Sequence, residues 1–175
     1  MAVFLEILKF TLPGLIVFAA VYYILRQYLN NQYELKALEL KANYTKDAIP
    51  LKLKAYERLL LLCERIRFPQ LLLRLKTKEM TARDLKNALV ISVQKEYEHN
   101  MAQQLYCSNK LWEILTLTKN DLISIISGAY GKVRPEDNAD VFAEKLLETA
   151  AKMGKSPLDV SIQAIKEEAK IILNV

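Results

Sequence analysis

FTLPGLIVFAAVYYIL, the stretch Phe10–Leu25, contains no charged residue, whereas Lys9 precedes it and Arg26 follows it. A helix of these residues rises about 24 Å, which is less than the roughly 30 Å hydrocarbon core of a bilayer. Apolar residues continue on both sides, however, and a helix over about Val3–Leu29 is long enough to cross. We therefore predict that residues 1–29 form a transmembrane anchor.

The residues around this apolar stretch suit a membrane surface. Lys9 and Arg26 can extend their alkyl stems along lipid and hold their charges near the headgroups. Glu6 lies one turn before Lys9 and is expected to pair with it. Pro13–Gly14 predicts either a kink or the start of the spanning part. Amphipathic rings that suit the interface cluster at the C-terminal end of the stretch, namely Tyr22, Tyr23 and Tyr28.

Two other interpretations of the stretch stay open. A secretory signal has positive charge before its apolar part and a small-residue cleavage site after it. Residues 1–8 contain Glu6 and no Lys or Arg, and Tyr22–Arg26 is a poor cleavage region. The other interpretation is a buried core helix, because the charge-free part is shorter than about 18 residues.

Positive charge is concentrated directly after the predicted anchor. Residues 26–86 contain 14 Lys and Arg against 7 Asp and Glu, whereas residues 87–175 contain 10 against 12. Segments rich in Lys and Arg stay on the cytoplasmic side of a membrane. We therefore predict a single crossing that leaves the N-terminus outside and the C-terminal domain in the cytoplasm. A solvated helix face is the alternative explanation of these cations.

Residue usage favours helices throughout the chain. Only four glycines and five prolines occur, which argues against a sheet with many turns. Cys63 and Cys107 lack a Cys-x-x-Cys spacing and are expected to be reduced packing residues. The predicted fold class is all-α, with an N-terminal transmembrane helix that continues into a stalk, followed by a cytoplasmic helical bundle.

The predicted stalk covers residues 30–49. Apolar or small side chains recur there at spacings of three and four, which indicates one helical seam: Leu35, Leu38, Ala42, Thr45 and Ile49. The seam can pack on the chain's own domain or form a coiled coil with a second copy. Pro50 is predicted to end this helix and to start the next one, so that residues 50–175 form the bundle.

Capping residues and apolar stripes predict the helices of the bundle. Leu51–Ile66 has a wide apolar arc that suits a central helix, and Leu71–Leu75 is expected to be one short turn. Thr81 and Asp84 form a capping box before a helix over about Ala82–Tyr106. Further helices are predicted to start at Ser108, Asn138 and Ser156. Predicted inward positions include Tyr56, Leu59, Cys63, Leu89, Met101, Leu105, Leu147, Ile165 and, in the helix that starts at Ser108, the stripe Leu111, Leu115, Thr118, Leu122, Ile125 and Ala129.

Glu96-x-x-His99 is the pattern that most resembles a reactive site. Di-iron helical bundles use two Glu-x-x-His pairs, but this chain contains a single histidine. Gly128–Gly131 follows no predicted strand and precedes no Gly-Lys-Ser/Thr, so it does not predict a phosphate loop. We therefore predict no catalytic, cofactor-binding or metal-ligating residues and no enzymatic activity. The alternative is a metal-binding or enzymatic bundle that uses the Glu96/His99 region.

The basic segment Lys36–Lys86 raises the question of nucleic acid. Its cations alternate with leucine rather than with aromatic residues that stack on bases, so we predict no nucleic-acid partner. Anionic lipid headgroups are a nearer partner for a chain anchored beside them. A second alternative function is therefore an anionic-lipid surface binder that uses Lys36–Lys54.

Four motifs of this chain are LPGLIVF (12–18), IPLKLKAYERLLLLCERI (49–66), TARDL (81–85) and QKEYEHNMAQQLYCSNKLWE (94–113). They carry a resemblance to an uncharacterised family of small bacterial single-span, membrane-anchored α-helical proteins. The resemblance covers nearly the whole chain and implies a bacterial inner-membrane protein with one span and no catalytic residues.

These observations predict a scaffold or assembly subunit without catalysis. The expected partners are the lipid bilayer and another protein of unknown identity at the cytoplasmic face of the inner membrane, with a homo-oligomer as a further option. The wide apolar arc of Leu51–Ile66 motivates the protein partner.

Overall fold

Helices make up all the regular secondary structure in the part of the chain that the structure describes. The computed structural model describes the backbone of residues 2–173, and the side chains in that range except those of 2–11, 41–45 and 47. A 3₁₀ helix, Met101–Leu105, follows the third α-helix. The α-helices are α1 (Ala2–Arg65), α2 (Phe68–Leu75), α3 (Ala82–His99), α4 (Asn109–Tyr130), α5 (Ala139–Ala151) and α6 (Pro157–Leu173). The all-α prediction is confirmed for these residues.

The chain divides into two compact units, Met1–Ala48 and Ile49–Val175. The prediction that Pro50 separates two helices is wrong, because α1 continues through this residue into the second unit. A proline inside a helix removes one backbone hydrogen bond but does not oblige the helix to end. The finer division into an anchor (1–29), a stalk (30–49) and a bundle (50–175) stays a prediction.

Two sequence predictions lie outside the described side chains. These are the Glu6–Lys9 pair and the seam positions Ala42 and Thr45. At the seam positions on either side, Leu35 and Leu38 are exposed and Ile49 is half-buried.

The capping residues predicted from the sequence start three of the helices in the second unit. The Thr81 side chain accepts a hydrogen bond from the Asp84 N–H, and the Asp84 carboxylate accepts one from the Thr81 N–H. Ser108 caps α4 through the Leu111 N–H. Asn138 caps α5 through the Asp140 N–H. It also forms an isolated β-bridge with Thr81. The starts of α3 and α5 are therefore joined by backbone as well as by packing.

Buried apolar side chains from all the α-helices of the second unit, including the C-terminal part of α1, form one core. Within it, α3 packs on α4 and α5, α4 packs on α5 and α6, and α2 packs on α3 and α5. Burying a large apolar side chain contributes about 1.5–3 kcal/mol, which makes this core the main stabilising feature of the unit. The largest fully buried side chains include Leu59, Leu85, Leu89, Leu122, Phe142, Leu146 and Ile165.

Three details of the predicted helices are wrong. The helix predicted to reach Tyr106 ends at His99, and the 3₁₀ helix that follows turns Met101 and Leu105 outward. Leu147, predicted to face inward, is exposed because it lies one position beyond the buried Leu146. The short turn predicted at Leu71–Leu75 is the longer helix α2, which begins at Phe68 and has Pro69 in its first turn, where the missing N–H costs nothing.

Candidate functional site

Leu12–Leu40 is long and apolar enough to cross a membrane. Its apolar side chains are exposed within the first unit, including Ile16, Phe18 and Tyr23 at 61%, 69% and 68%. Soluble proteins rarely expose a continuous apolar surface of this extent. The alternative of a buried core helix is therefore not what the structure shows for residues 12–40. A signal sequence would meet the same criteria of length and composition.

One carboxylate joins three helices in the second unit. The Tyr56 hydroxyl of α1 donates to Glu168 Oε1 at 3.0 Å, and the Ser108 N–H donates to the same oxygen at 2.7 Å. The Ser108 hydroxyl donates to Glu168 Oε2, while its oxygen accepts from the Leu111 N–H at 3.2 Å. Glu168 on α6 thus holds α1 and the capping residue of α4. We call this arrangement the Glu168 junction.

The residues of the Glu168 junction line an open cavity of about 770 Å³. This volume lies in the range of small-molecule sites, which are mostly apolar with a few placed polar groups. Its walls include the exposed side chains of Leu105, Val160 and Ile171. Lysines stand around it, namely Lys52, Lys110 and Lys155. The cavity therefore presents an apolar surface with cations nearby.

Burial and the nearby Glu168 carboxylate control the ionisable groups beside this cavity. Burial and the hydrogen bond to Glu168 raise the pKa of Tyr56 far above its ordinary value of 10. Burial, then Glu168, also raises the pKa of the Cys107 thiol. Two turns further along α1, burial raises the pKa of Cys63 to about 12. Because a thiolate rather than a thiol is the nucleophile, neither cysteine has the properties of a reactive group.

Glu96 and His99 line a second cavity, of about 710 Å³, between the end of α1, α2 and α3. Glu96 Oε1 lies 2.9 Å from Arg65 Nη2 and 3.8 Å from Arg74 Nη2, and its side chain is only 14% exposed. Lys95 also lines this cavity. We call it the basic cavity, since three cationic side chains surround one carboxylate.

The structure gives the Glu96/His99 pair no further metal ligands among the residues it describes. Within that part of the chain, no group of three or more His, Cys, Asp and Glu side chains could hold a metal ion. Glu96 is instead the counter-ion of two guanidinium groups. The arrangement can recognise an anion, since Arg binds carboxylate and phosphate groups with paired N–H donors.

A family described as "Family of unknown function (DUF7935)" matches residues 2–172. The chain belongs to this family. The resemblance to an uncharacterised family is thereby confirmed, while a bacterial source and a membrane anchor stay predictions. No curated protein and no solved structure matches the chain.

Glu168 and Ser161 were not predicted from the sequence of this family member. Ser161 is fully buried and shares a 2.8 Å hydrogen bond with Thr118. Leu158, Ser161, Ile165 and Glu168 follow one another at helical spacings of three and four, so all four lie on one face of α6. The sequence did contain a signal for Ser161 and Glu168, because they are polar residues on a helix face that is otherwise apolar. The pairing of Glu96 with Arg65 and Arg74 had no such signal, because it depends on how three helices pack.

Proposed function

We propose that this protein is a non-enzymatic, single-span membrane protein of a bacterial inner membrane. In this proposal the second unit, Ile49–Val175, lies in the cytoplasm and binds a partner protein. The proposal rests mainly on the exposed apolar surface of Leu12–Leu40. Lipid is the solvent that such a surface requires, because water would order around every exposed apolar group.

Charge supports the proposed orientation. Lys46, Lys52 and Lys54 follow Leu12–Leu40 and are exposed. Cations directly after a span are retained on the cytoplasmic side. A fluorescent protein fused after Val175 should fold and fluoresce in cells, whereas alkaline phosphatase fused there should be inactive. The opposite pattern would overturn the cytoplasmic location.

The state of the polar side chains supports binding rather than catalysis. Glu96 is paired with Arg65 and Arg74, and Glu168 accepts hydrogen bonds from Tyr56 and Ser108. A catalytic acid or base needs a proton to exchange with its substrate, and both carboxylates are engaged within the protein. Two cavities with apolar walls and surrounding cations offer surfaces for a partner.

Photocrosslinking in living cells tests the partner protein. A benzophenone side chain would replace Leu105, which lines the first cavity, or Leu73, which directly precedes Arg74 of the second cavity; these leucines are 80% and 84% exposed. The matched control position is Leu117 on α4, which is 56% exposed and lines neither cavity. One defined protein adduct at Leu105 or Leu73, absent at Leu117, supports the proposal. Adducts with lipid alone at every position would favour the anionic-lipid surface binder instead.

A further inference from the structure

The basic cavity carries more positive charge than its own carboxylate can balance. Arg65, Arg74 and Lys95 line it, whereas Glu96 is the only carboxylate among its lining residues. Arg74 Nη2 also donates to Ser92 Oγ at 3.0 Å. A guanidinium has five N–H donors, which is more than these contacts use. Both arginines stay in contact with water, with 59% and 37% of their side chains exposed.

A shallower cleft of about 360 Å³ continues from the basic cavity and shares Arg65 and Arg74. Its one carboxylate, Glu64, is already held by Arg67 through contacts of 2.7 and 3.2 Å. Arg65 and Arg74 therefore line both the basic cavity and the cleft. A ligand whose anionic group binds these arginines can extend into both the basic cavity and the cleft.

Apolar side chains lie on either side of these arginines. Leu73, in the cleft, is 84% exposed, and Ile91, in the basic cavity, is 53% exposed. Leu75 adds a partly buried wall of the basic cavity. Inorganic phosphate or a lipid headgroup would use the cations but not these apolar groups. A polypeptide that carries carboxylates next to apolar side chains would use both.

We propose that the basic cavity and its cleft bind an acidic segment of the partner protein. A Glu or Asp carboxylate of that segment pairs with Arg65 and Arg74, and neighbouring apolar side chains contact Leu73 and Ile91. This inference rests on the proposed function, because it names the surface that the partner protein occupies. Glu96 holds the two guanidinium groups in place and competes with the incoming carboxylate for them.

A binding titration of the full chain in neutral-detergent micelles tests the inference. The probe is a fluorescent synthetic peptide in which Glu alternates with Leu, and the comparison peptide has Gln in place of every Glu. We expect the acidic peptide to bind, the Gln peptide to bind at least about tenfold more weakly, and added salt to reduce the difference. Equal binding of the two peptides would overturn the inference.

Arginine variants locate the binding. Arg65→Gln and Arg74→Gln should each weaken binding of the acidic peptide about tenfold, because each removes a charge-assisted hydrogen bond. Arg83→Gln is the matched control, since the Arg83 side chain is 60% exposed and pairs with Glu136, away from the cavity. Loss of binding in the control, or none in the two test variants, contradicts the assignment.

Glu96→Gln keeps both arginines and removes the carboxylate that competes with the peptide for them. Since a misfolded variant would lose binding, tighter binding by this variant cannot be caused by misfolding. This variant should bind the acidic peptide more tightly than the natural chain does. Weaker binding would show that the cavity does not receive a carboxylate. Displacement of the peptide by inorganic phosphate or by phosphatidylglycerol vesicles at matched anion concentration would likewise overturn the choice of a protein segment.

Crosslinking in cells separates this inference from the proposed function. If the partner is captured equally by the natural chain and by the Arg65→Gln/Arg74→Gln variant, the proposed function stands and this surface is wrong. If the acidic peptide binds through the arginines but no protein is captured in cells, the surface stands and the proposed function is wrong.

Discussion

Glu168 is the residue on which the mutual position of three helices in the second unit depends. Replacing it by Gln leaves one oxygen acceptor for the three donors that Tyr56 and Ser108 direct at it. Leaving a partly buried donor without an acceptor costs about 1–3 kcal/mol. We therefore expect Glu168→Gln to lower the free energy of unfolding by that amount. Trp112, the only tryptophan, lies in α4 and reports the unfolding in urea.

Glu167→Gln is the matched control for this substitution. Glu167 is the adjacent residue of α6, but it is exposed and accepts a hydrogen bond only from the nearby Gln163 among the described contacts. Exposed substitutions of this kind change stability by less than about 0.5 kcal/mol. If the two variants unfold at the same urea concentration, the Glu168 junction does not stabilise the unit.

Cys63 makes the stability of the second unit depend on alkaline pH. Burial raises its pKa from 9 to about 12, so the folded protein binds the thiol proton more tightly than the unfolded chain. The resulting stability is fully present below pH 9 and is lost as the pH rises from 9 towards 12. The decline from this group has a slope of at most about 1.4 kcal/mol per pH unit.

Urea unfolding of the natural chain and of Cys63→Ala between about pH 8 and pH 11 measures that slope. The variant will be less stable at every pH because it leaves a cavity, so the comparison concerns the slopes alone. We expect a shallower decline in the variant above pH 9, with the remaining decline due to groups such as Tyr56. Identical slopes would mean that the Cys63 thiol is not buried.

At the scale of the helix, the predicted span Val3–Leu29 carries its charged residues, Glu6, Lys9 and Arg26, only towards its ends, and we expect it to tolerate further charge only there. Ile16→Arg places a guanidinium in the middle of the predicted span, where insertion costs about 2.5–3.5 kcal/mol more. Asn31→Arg puts the same group on the cytoplasmic side, where it is favoured. We expect alkaline carbonate to extract much of the Ile16→Arg protein from membranes and none of the Asn31→Arg protein. Equal retention of both would place residue 16 outside the hydrocarbon core.

Features that depend on near neighbours in the chain were predictable from the sequence. The capping residues Thr81, Ser108 and Asn138 were correct because a cap involves only residues two or three positions away. The α4 stripe was correct for the same reason, since spacings of three and four define one helix face. Its predicted members are all buried, namely Leu111, Leu115, Thr118, Leu122, Ile125 and Ala129.

Features that depend on distant parts of the chain were not predictable. Pro50 is a strong local breaker signal, yet α1 continues through it into a segment that the bundle core buries at Tyr56 and Leu59. Met101 and Leu105 continue an apolar pattern, but the helix tightens into 3₁₀ geometry after His99 and rotates them outward. The ion pairs of Glu96 join residues more than twenty positions apart, and no local pattern encodes them.

At the scale of the whole molecule, the two units have opposite surface requirements. The first exposes apolar side chains along Leu12–Leu40, whereas the second buries its apolar stripes in a core of its own. In the proposed account lipid is the solvent of the first unit and water that of the second, and a membrane boundary supplies both. The proposed membrane localisation, orientation and partner protein all depend on the choice of lipid as the solvent of the first unit.

Fluorescence quenching of a tryptophan inside the predicted span tests that choice most directly. The full chain carrying Phe18→Trp and Trp112→Phe would be reconstituted into vesicles of brominated lipid, with the natural chain and its Trp112 as the control. We predict that the brominated acyl chains strongly quench the tryptophan introduced at position 18 and that aqueous iodide does not, whereas the lipid leaves Trp112 unquenched. Quenching of the introduced tryptophan by iodide, with none by brominated lipid, would contradict the account.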